Sequence, residues 1–249
     1  MAVTRPRTRI YLKQNLSKGQ KIAFDRQQSA YLTRVLHLKP GAEIGVFNAR
    51  EGEWRAHISI AGPREAWAVV GDHLCPPEVC SGVSLAFAPL KKGPLEWLLV
   101  KAVELGVSSL QPVISDYTQV TLTRPERLQT LLQEATEQCE RCCIPELRSA
   151  QGLGPWLATA GPVVVALERG QGVDARAWLA DGQGVPPNVL VGPEGGFSEM
   201  EADLLAQRHD TTRLNLGPRI LKAETAALSL LTLAQTKAGE FTARPAFRS

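Results

Sequence analysis

The hydrophobic pattern changes period at Cys75-Pro76-Pro77-Glu78, and that change limits what the chain can fold into. Beyond it, short apolar runs alternate with longer segments of helical spacing. Residues 84–88 read as a strand, and apolar residues at 95, 98, 99, 102 and 103 then fall on one helical face that Gly106 is placed to end. Residues 107–114 read as a strand and 125–143 as a long helix, since proline is tolerated in a first turn. Residues 163–167, 188–191 and 213–216 are further strands, and residues 224–237, dense in alanine and leucine, are a closing helix. Strands alternating with helices predict a parallel sheet covered on both faces.

Before the prolines the period is two. Residues 9–12, 43–47, 53–60 and 66–70 alternate and are separated by Lys39-Pro40-Gly41 and Ala61-Gly62-Pro63. This pattern predicts a small β-barrel or sandwich, interrupted by one helical piece over residues 27–38. The consecutive prolines favour an extended linker. Two domains are therefore expected, over residues 1–73 and 78–249.

Charge separates the same two parts. Residues 1–73 hold 12 Lys+Arg against 6 Asp+Glu, a net +6, while residues 74–249 hold 16 against 19, a net −3. A basic front suits a polyanionic partner. The 44% hydrophobic and 21% charged content is that of an ordinary globular protein. No apolar run is long enough to cross a bilayer, and the basic N-terminus has no apolar segment behind it, so neither membrane nor secretory signal is expected. Five cysteines, an odd number, fit the reducing cytosol. Cys139, Cys142 and Cys143, with distant Cys75 and Cys80, lack a zinc-knuckle spacing, and the four histidines are scattered. Small buried thiols and no metal are expected.

Two loops follow late strands: Gly192-Pro193-Glu194-Gly195-Gly196, and Leu216-Gly217-Pro218-Arg219-Ile220-Leu221-Lys222. In open α/β sheets, ligands bind beyond the carboxyl ends of strands. Neither loop has a phosphate-binding or dinucleotide spacing, and Glu194 disfavours triphosphate. The loops are either tight turns or walls for a neutral or cationic ligand approached closely by backbone. Ser198 with Glu201 makes a capping box, so a helix should start at Ser198.

The stretches "VGPEGGFSEME" and "LNLGPRILKAETAAL" together resemble the paired signature of RsmE-type methyltransferases, S-adenosylmethionine enzymes of the SPOUT class that modify N3 of a uridine in 16S ribosomal RNA. "YLTRVLHLKPG", "KKGPLEWLLVKAVELGVSSLQPV" and "EQCERCCIPEL" extend the resemblance over nearly the whole chain. It implies an α/β fold: a PUA-like β-barrel that binds RNA, then a SPOUT parallel sheet whose C-terminal chain forms a trefoil knot, acting as a cytoplasmic homodimer on the small ribosomal subunit. The general rule that chains do not thread themselves would not have supplied the knot. The resemblance places S-adenosylmethionine against Leu167 and Glu168, against Val191, Gly192, Glu194, Gly195 and Gly196, and against Leu216, Gly217, Ile220, Leu221 and Thr225.

It also implies catalytic roles. Arg219 is placed to offset negative charge on the uracil, and Glu224 to orient Arg219, accept a proton or cap the last helix. Thr225 can cap that helix or contact the ligand. For RNA the resemblance and the basic front point to Arg5, Arg7, Arg9, Arg34, His37 and Arg55, with Arg141 and Lys222 nearer the site. The chain departs from the family where arginine is usual at Lys222 and histidine-proline at Glu168-Arg169. Cys142 and Cys143 stand where relatives are often polar or basic, and His37 where they often carry arginine. Two other readings remain: an RNA-binding assembly protein with a vestigial pocket, and a methyltransferase of a different RNA.

Overall fold

The structure, a computed structural model, describes residues 6–62, 64–167, 172–182, 184 and 187–242. They divide into two compact units, one of residues up to Val79 with Thr136–Cys143, the other of Cys80–Ala135 with residues from Ile144 onward. The proline-rich boundary therefore divides the sequence, while eight residues from beyond it, Thr136–Cys143, pack with the first unit.

In the first unit, β1 (Arg9–Tyr11), β2 (Lys21–Ala23), β3 (Glu43–Asn48), β4 (Gly52–Gly62) and β5 (Glu65–Cys75) form one sheet in the order β1-β3-β4-β5-β2. Only β1 with β3 is a parallel pairing within it. Alternation along β5 turns Ala66, Ala68 and Val70 into a core shared with Ile44, Val46, Ala56 and Ile58. The expected linker begins a residue early, because Cys75 is still paired with Glu53 as the last residue of β5. Gly52 is required where β4 begins: its φ is +75°, and a Cβ there would lie 2.0 Å from the Cys75 carbonyl oxygen. The helical piece is α1 (Arg26–Ala30), started by an Asp25–Gln28 capping box, running into a π-helical turn at Tyr31–Val35.

The second unit contains β6 (Ser84–Phe87), α2 (Lys92–Glu104), β7 (Ser109–Ile114) and most of α3 (Pro125–Gln138). It continues with β8 (Glu146–Leu147), β9 (Gln151–Gly152), α4 (Leu153–Thr159), β10 (Val163–Ala166), β11 (Val173–Asp174), α5 (Ala175–Ala180), β12 (Asn188–Val191), α6 (Glu199–Gln207), β13 (Thr211–Asn215) and α7 (Ala223–Ala238). The strands run β11-β13-β10-β12-β6-β7-β8, with β9 also on β7, and every pairing is parallel. Ala86, Val113, Val163, Val165 and Leu190 face Leu153, Trp156 and Leu157 of α4 and Leu205 of α6. Alternation turns Val164 and Val189 to the other face, and α7 packs with α2, β10 and β12.

The helix expected over residues 125–143 stops at Gln138, and a first-unit residue explains why. Arg9 Nη1 takes donor positions to the carbonyls of Thr136 and Glu137 (3.2 and 3.0 Å), and its Nη2 donates to the Arg141 carbonyl (2.8 Å). The first two belong to the last helical turn, whose carbonyls have no partner within the helix, and a guanidinium supplies donors to them.

Candidate functional site

Because the second sheet is parallel throughout, the loops following β6, β7, β10, β12 and β13 all leave from one edge. Although β12 and β13 are successive among the long strands, β10 lies between them, so their loops flank the end of β10. Both predicted glycine loops and Leu167 are thus gathered at that edge. Glu168 lies outside the described residues, and so does Arg5.

The loop after β12 is tightly built. Val191 and Pro193 are buried, Glu194 and Gly195 exposed. The Gly196 N–H donates to the Pro193 carbonyl (3.0 Å), and Gly196 takes φ +72°, a conformation open to glycine. A Cβ on Gly192 would lie 2.9 Å from Cε2 of Phe197, whose ring packs with Leu167 against the core. A Cβ on Gly195 would meet the Cβ of Tyr117 at 3.3 Å. Two of these glycines therefore make room for rings rather than for sharp turns.

The capping box forms at Ser198 as expected, and its glutamate also reaches a second loop. Glu201, 8% exposed, accepts the Ser198 N–H on one oxygen (3.0 Å) and the Asp116 N–H on the other (2.9 Å). The Ser198 hydroxyl donates to the Asp116 carboxylate (2.5 Å). The loop after β7 is thereby fastened to the start of α6. Nothing in the local sequence around Asp116 or Tyr117 signals this, because the partners lie 82 and 85 residues away.

The loop after β13 is open. Gly217, with φ +98°, donates its N–H to Asn215 Oδ1 (2.8 Å), and beyond it Pro218, Arg219, Ile220 and Lys222 stand exposed, Ile220 at 82%. Leu216 and Leu221 are half-buried. The N-cap of α7 is Lys222, which makes no side-chain cap, so Glu224 and Thr225 sit in the first helical turn without capping it. A carboxylate there still complements the helix N-terminus.

Among the residues expected to meet RNA, Arg9 is corrected. It is 6% exposed, ion-paired with the fully buried Glu53 (3.1 Å), and its guanidinium lies 4.0 Å over the Phe47 ring. A guanidinium spent on a buried carboxylate and three carbonyls is a structural clamp, out of reach of phosphate. Arg55 pairs with Glu43 (2.5 Å) and Arg141 with Glu78 (3.5 Å), both with mostly covered side chains. Arg7, Arg34 and His37 are exposed. The last two, with Thr33, Leu38, Pro40, Ile60 and Gly62, line a concavity of about 570 Å³ in the first unit. Cys142 is buried beside Arg9, and desolvation pushes its thiol up to about 12. It stays a neutral packing group at physiological pH.

Residues 77–235 match the family model described as an RNA methyltransferase domain, and residues 24–71 that of an RNA methyltransferase PUA domain. The chain is 30% identical to the ribosomal RNA small subunit methyltransferase E of Rickettsia conorii over 90% of this chain and 93% of the relative. It is 33% identical to that of Bacillus subtilis, over 88% and 91%. Among solved structures, a putative methyltransferase from Legionella pneumophila in complex with S-adenosylmethionine superposes with TM-score 0.81 at 26% identity, covering 93% of this chain and 98% of the other. The small subunit methyltransferase E of Neisseria gonorrhoeae, bound to S-adenosylmethionine, gives 0.79 at 26% identity over 92% and 97%.

Proposed function

The chain belongs to the ribosomal RNA small subunit methyltransferase E family, and from that premise we propose that it methylates N3 of a uridine in 16S ribosomal RNA. It is an S-adenosylmethionine-dependent ribosomal RNA methyltransferase. The observation that supports the site assignment is that Leu167, at the end of β10, and the loops after β12 and β13 share one sheet edge.

The residues present fit that cofactor. The left-handed Gly196, with open space where a Cβ would stand, lets backbone approach a ligand closely, and the exposed Glu194 adds negative charge, which suits a sulfonium better than a phosphate. Val191, Gly192, Glu194, Gly195 and Gly196 would form one wall, Leu216, Gly217, Ile220, Leu221 and Thr225 a second, and Leu167 part of a third. The strand order β13-β10-β12 supports a knotted C-terminal chain. Exposed Met200 and Ile220 support a homodimer, and a ribosomal RNA substrate supports a cytoplasmic location.

Bound S-adenosylmethionine supplies an electrophilic methyl group. The protein has to align the acceptor with it and dispose of the N3 proton. Arg219, exposed in the loop after β13, offsets the negative charge that develops on uracil as N3 is deprotonated. Glu224, in the first turn of α7, orients that arginine or receives the proton. Arg7, Arg34 and His37 in the first unit and Lys222 in the second bind RNA phosphates, which orients the RNA without reading its sequence. The test is methylation of small ribosomal subunits from a strain lacking the enzyme, with the product nucleoside identified by mass spectrometry. N3-methyluridine is expected; a different methylated nucleoside overturns the acceptor, and failure to bind S-adenosylmethionine by calorimetry favours the assembly-protein reading.

A further inference from the structure

Tyr117 is the large aromatic side chain at the glycine edge that neither packing nor the methyl transfer accounts for. It follows β7, so it leaves the sheet from the ligand-binding edge. The residue is 50% exposed, yet the backbone that carries its ring is pinned on both sides. The Ser115 N–H donates to Thr118 Oγ1 (2.9 Å), the Thr118 N–H returns to the Ser115 carbonyl (3.0 Å), and the Asp116 N–H is held by buried Glu201 (2.9 Å). Ser198 grips the Asp116 carboxylate as well.

The neighbouring loop is shaped around the same side chain. The Cβ and Cδ2 of Tyr117 lie 3.3 and 3.7 Å from the point where Gly195 would carry a Cβ. Gly195 and Glu194 are on the exposed side of that loop, whereas Val191 and Pro193 are buried. The ring is therefore held at the outer side of the glycine loop, the side a macromolecule reaches. Tyrosine offers large, rigid contact area with few rotors to order. Unpaired RNA bases are held chiefly by stacking on such rings.

We propose that Tyr117 stacks on an unpaired base of the RNA substrate beside the glycine loop, with Asp116, Ser198 and Glu201 as positioning residues that fix its backbone. This rests on the methyltransferase reading above. Tyr117→Phe keeps the ring and Tyr117→Ala removes it. Because the side chain is half-exposed, both variants should fold, which circular dichroism checks.

With small subunits from a strain lacking the enzyme, Tyr117→Ala should raise the KM for RNA by roughly 5- to 150-fold, the usual worth of one stacked base. Tyr117→Phe should stay near wild type, and S-adenosylmethionine affinity by calorimetry should be unchanged in both. Asp116→Ala should raise the same KM by a smaller factor. An unchanged KM in Tyr117→Ala, or a loss confined to S-adenosylmethionine affinity, overturns the proposal. Independently of turnover, a single-stranded RNA containing 4-thiouridine should photo-crosslink to the peptide carrying Tyr117. Wild-type inactivity on the subunits sinks the methylation reading, while the crosslink still decides the RNA contact: its presence supports Tyr117 and its absence overturns it.

Discussion

The two glycine loops look alike in sequence and are built in opposite ways. The loop after β12 is fixed: Phe197 fills the space over Gly192, Tyr117 stands against Gly195, and buried Glu201 ties its far end to the loop after β7. The loop after β13 begins with one Asn215–Gly217 hydrogen bond and then presents Arg219, Ile220 and Lys222 outward. A pre-formed wall presents backbone to a ligand without ordering cost, whereas exposed side chains can act on charge that appears only during reaction. The difference fits the proposed roles: both loops would wall the cofactor, and only the second adds outward side chains able to act on the acceptor.

Arg219→Ala gives the largest expected break. Methyl transfer should fall by about 10²- to 10³-fold, as when a donor to developing negative charge is removed, with cofactor affinity largely kept. Single-turnover rates alongside calorimetry measure both; normal turnover would remove Arg219 from the mechanism. Gly192→Ala comes next and should act in the reverse sense. The new methyl falls 2.9 Å from the Phe197 ring, and overpacking of this kind costs about 1–3 kcal/mol. Here S-adenosylmethionine affinity and the thermal midpoint should drop together, since the wall itself is displaced.

Glu201→Gln sharpens the comparison. The amide oxygen keeps one N–H as a neutral acceptor while the NH2 cannot accept from the other, so about 1–3 kcal/mol of stability should be lost. Faster hydrogen exchange at the Asp116 and Ser198 amides is the specific sign, and unaltered exchange at both would show that the loops are not tied through this carboxylate. Lys222→Arg, restoring the residue usual in the family, should change stability by no more than about 0.5 kcal/mol because the side chain is exposed. Its effect should appear in RNA affinity and its salt dependence, and a loss of S-adenosylmethionine binding instead would move Lys222 from the RNA to the cofactor.

Much of the fold was legible because it rests on local pattern. The buried face of α2 is Leu95, Leu98, Leu99, Ala102 and Val103, the residues picked out by helical spacing. Ser198 starts α6 through the capping box that its sequence spells. The end of α3 was not legible, because Arg9, more than a hundred residues earlier, takes its last carbonyls. The end of α4 is similar: Arg208 donates to the carbonyls of Leu157, Ala160 and Gly161. An arginine read from sequence carries a charge but no address, so sequence alone points Arg9 at RNA.

By itself the sequence determined the change from period two to strand–helix alternation, the positions of the glycine loops and the family signature they carry. These depend on residues close to one another along the chain. The tertiary structure alone decided which glycines make room for rings, which arginines are buried, and that Tyr117 stands beside Gly195. Apart from the local Gly192–Phe197 contact, those outcomes depend on contacts between residues 44 to 132 apart, and the distance between such residues is set by strand order, which no local pattern encodes.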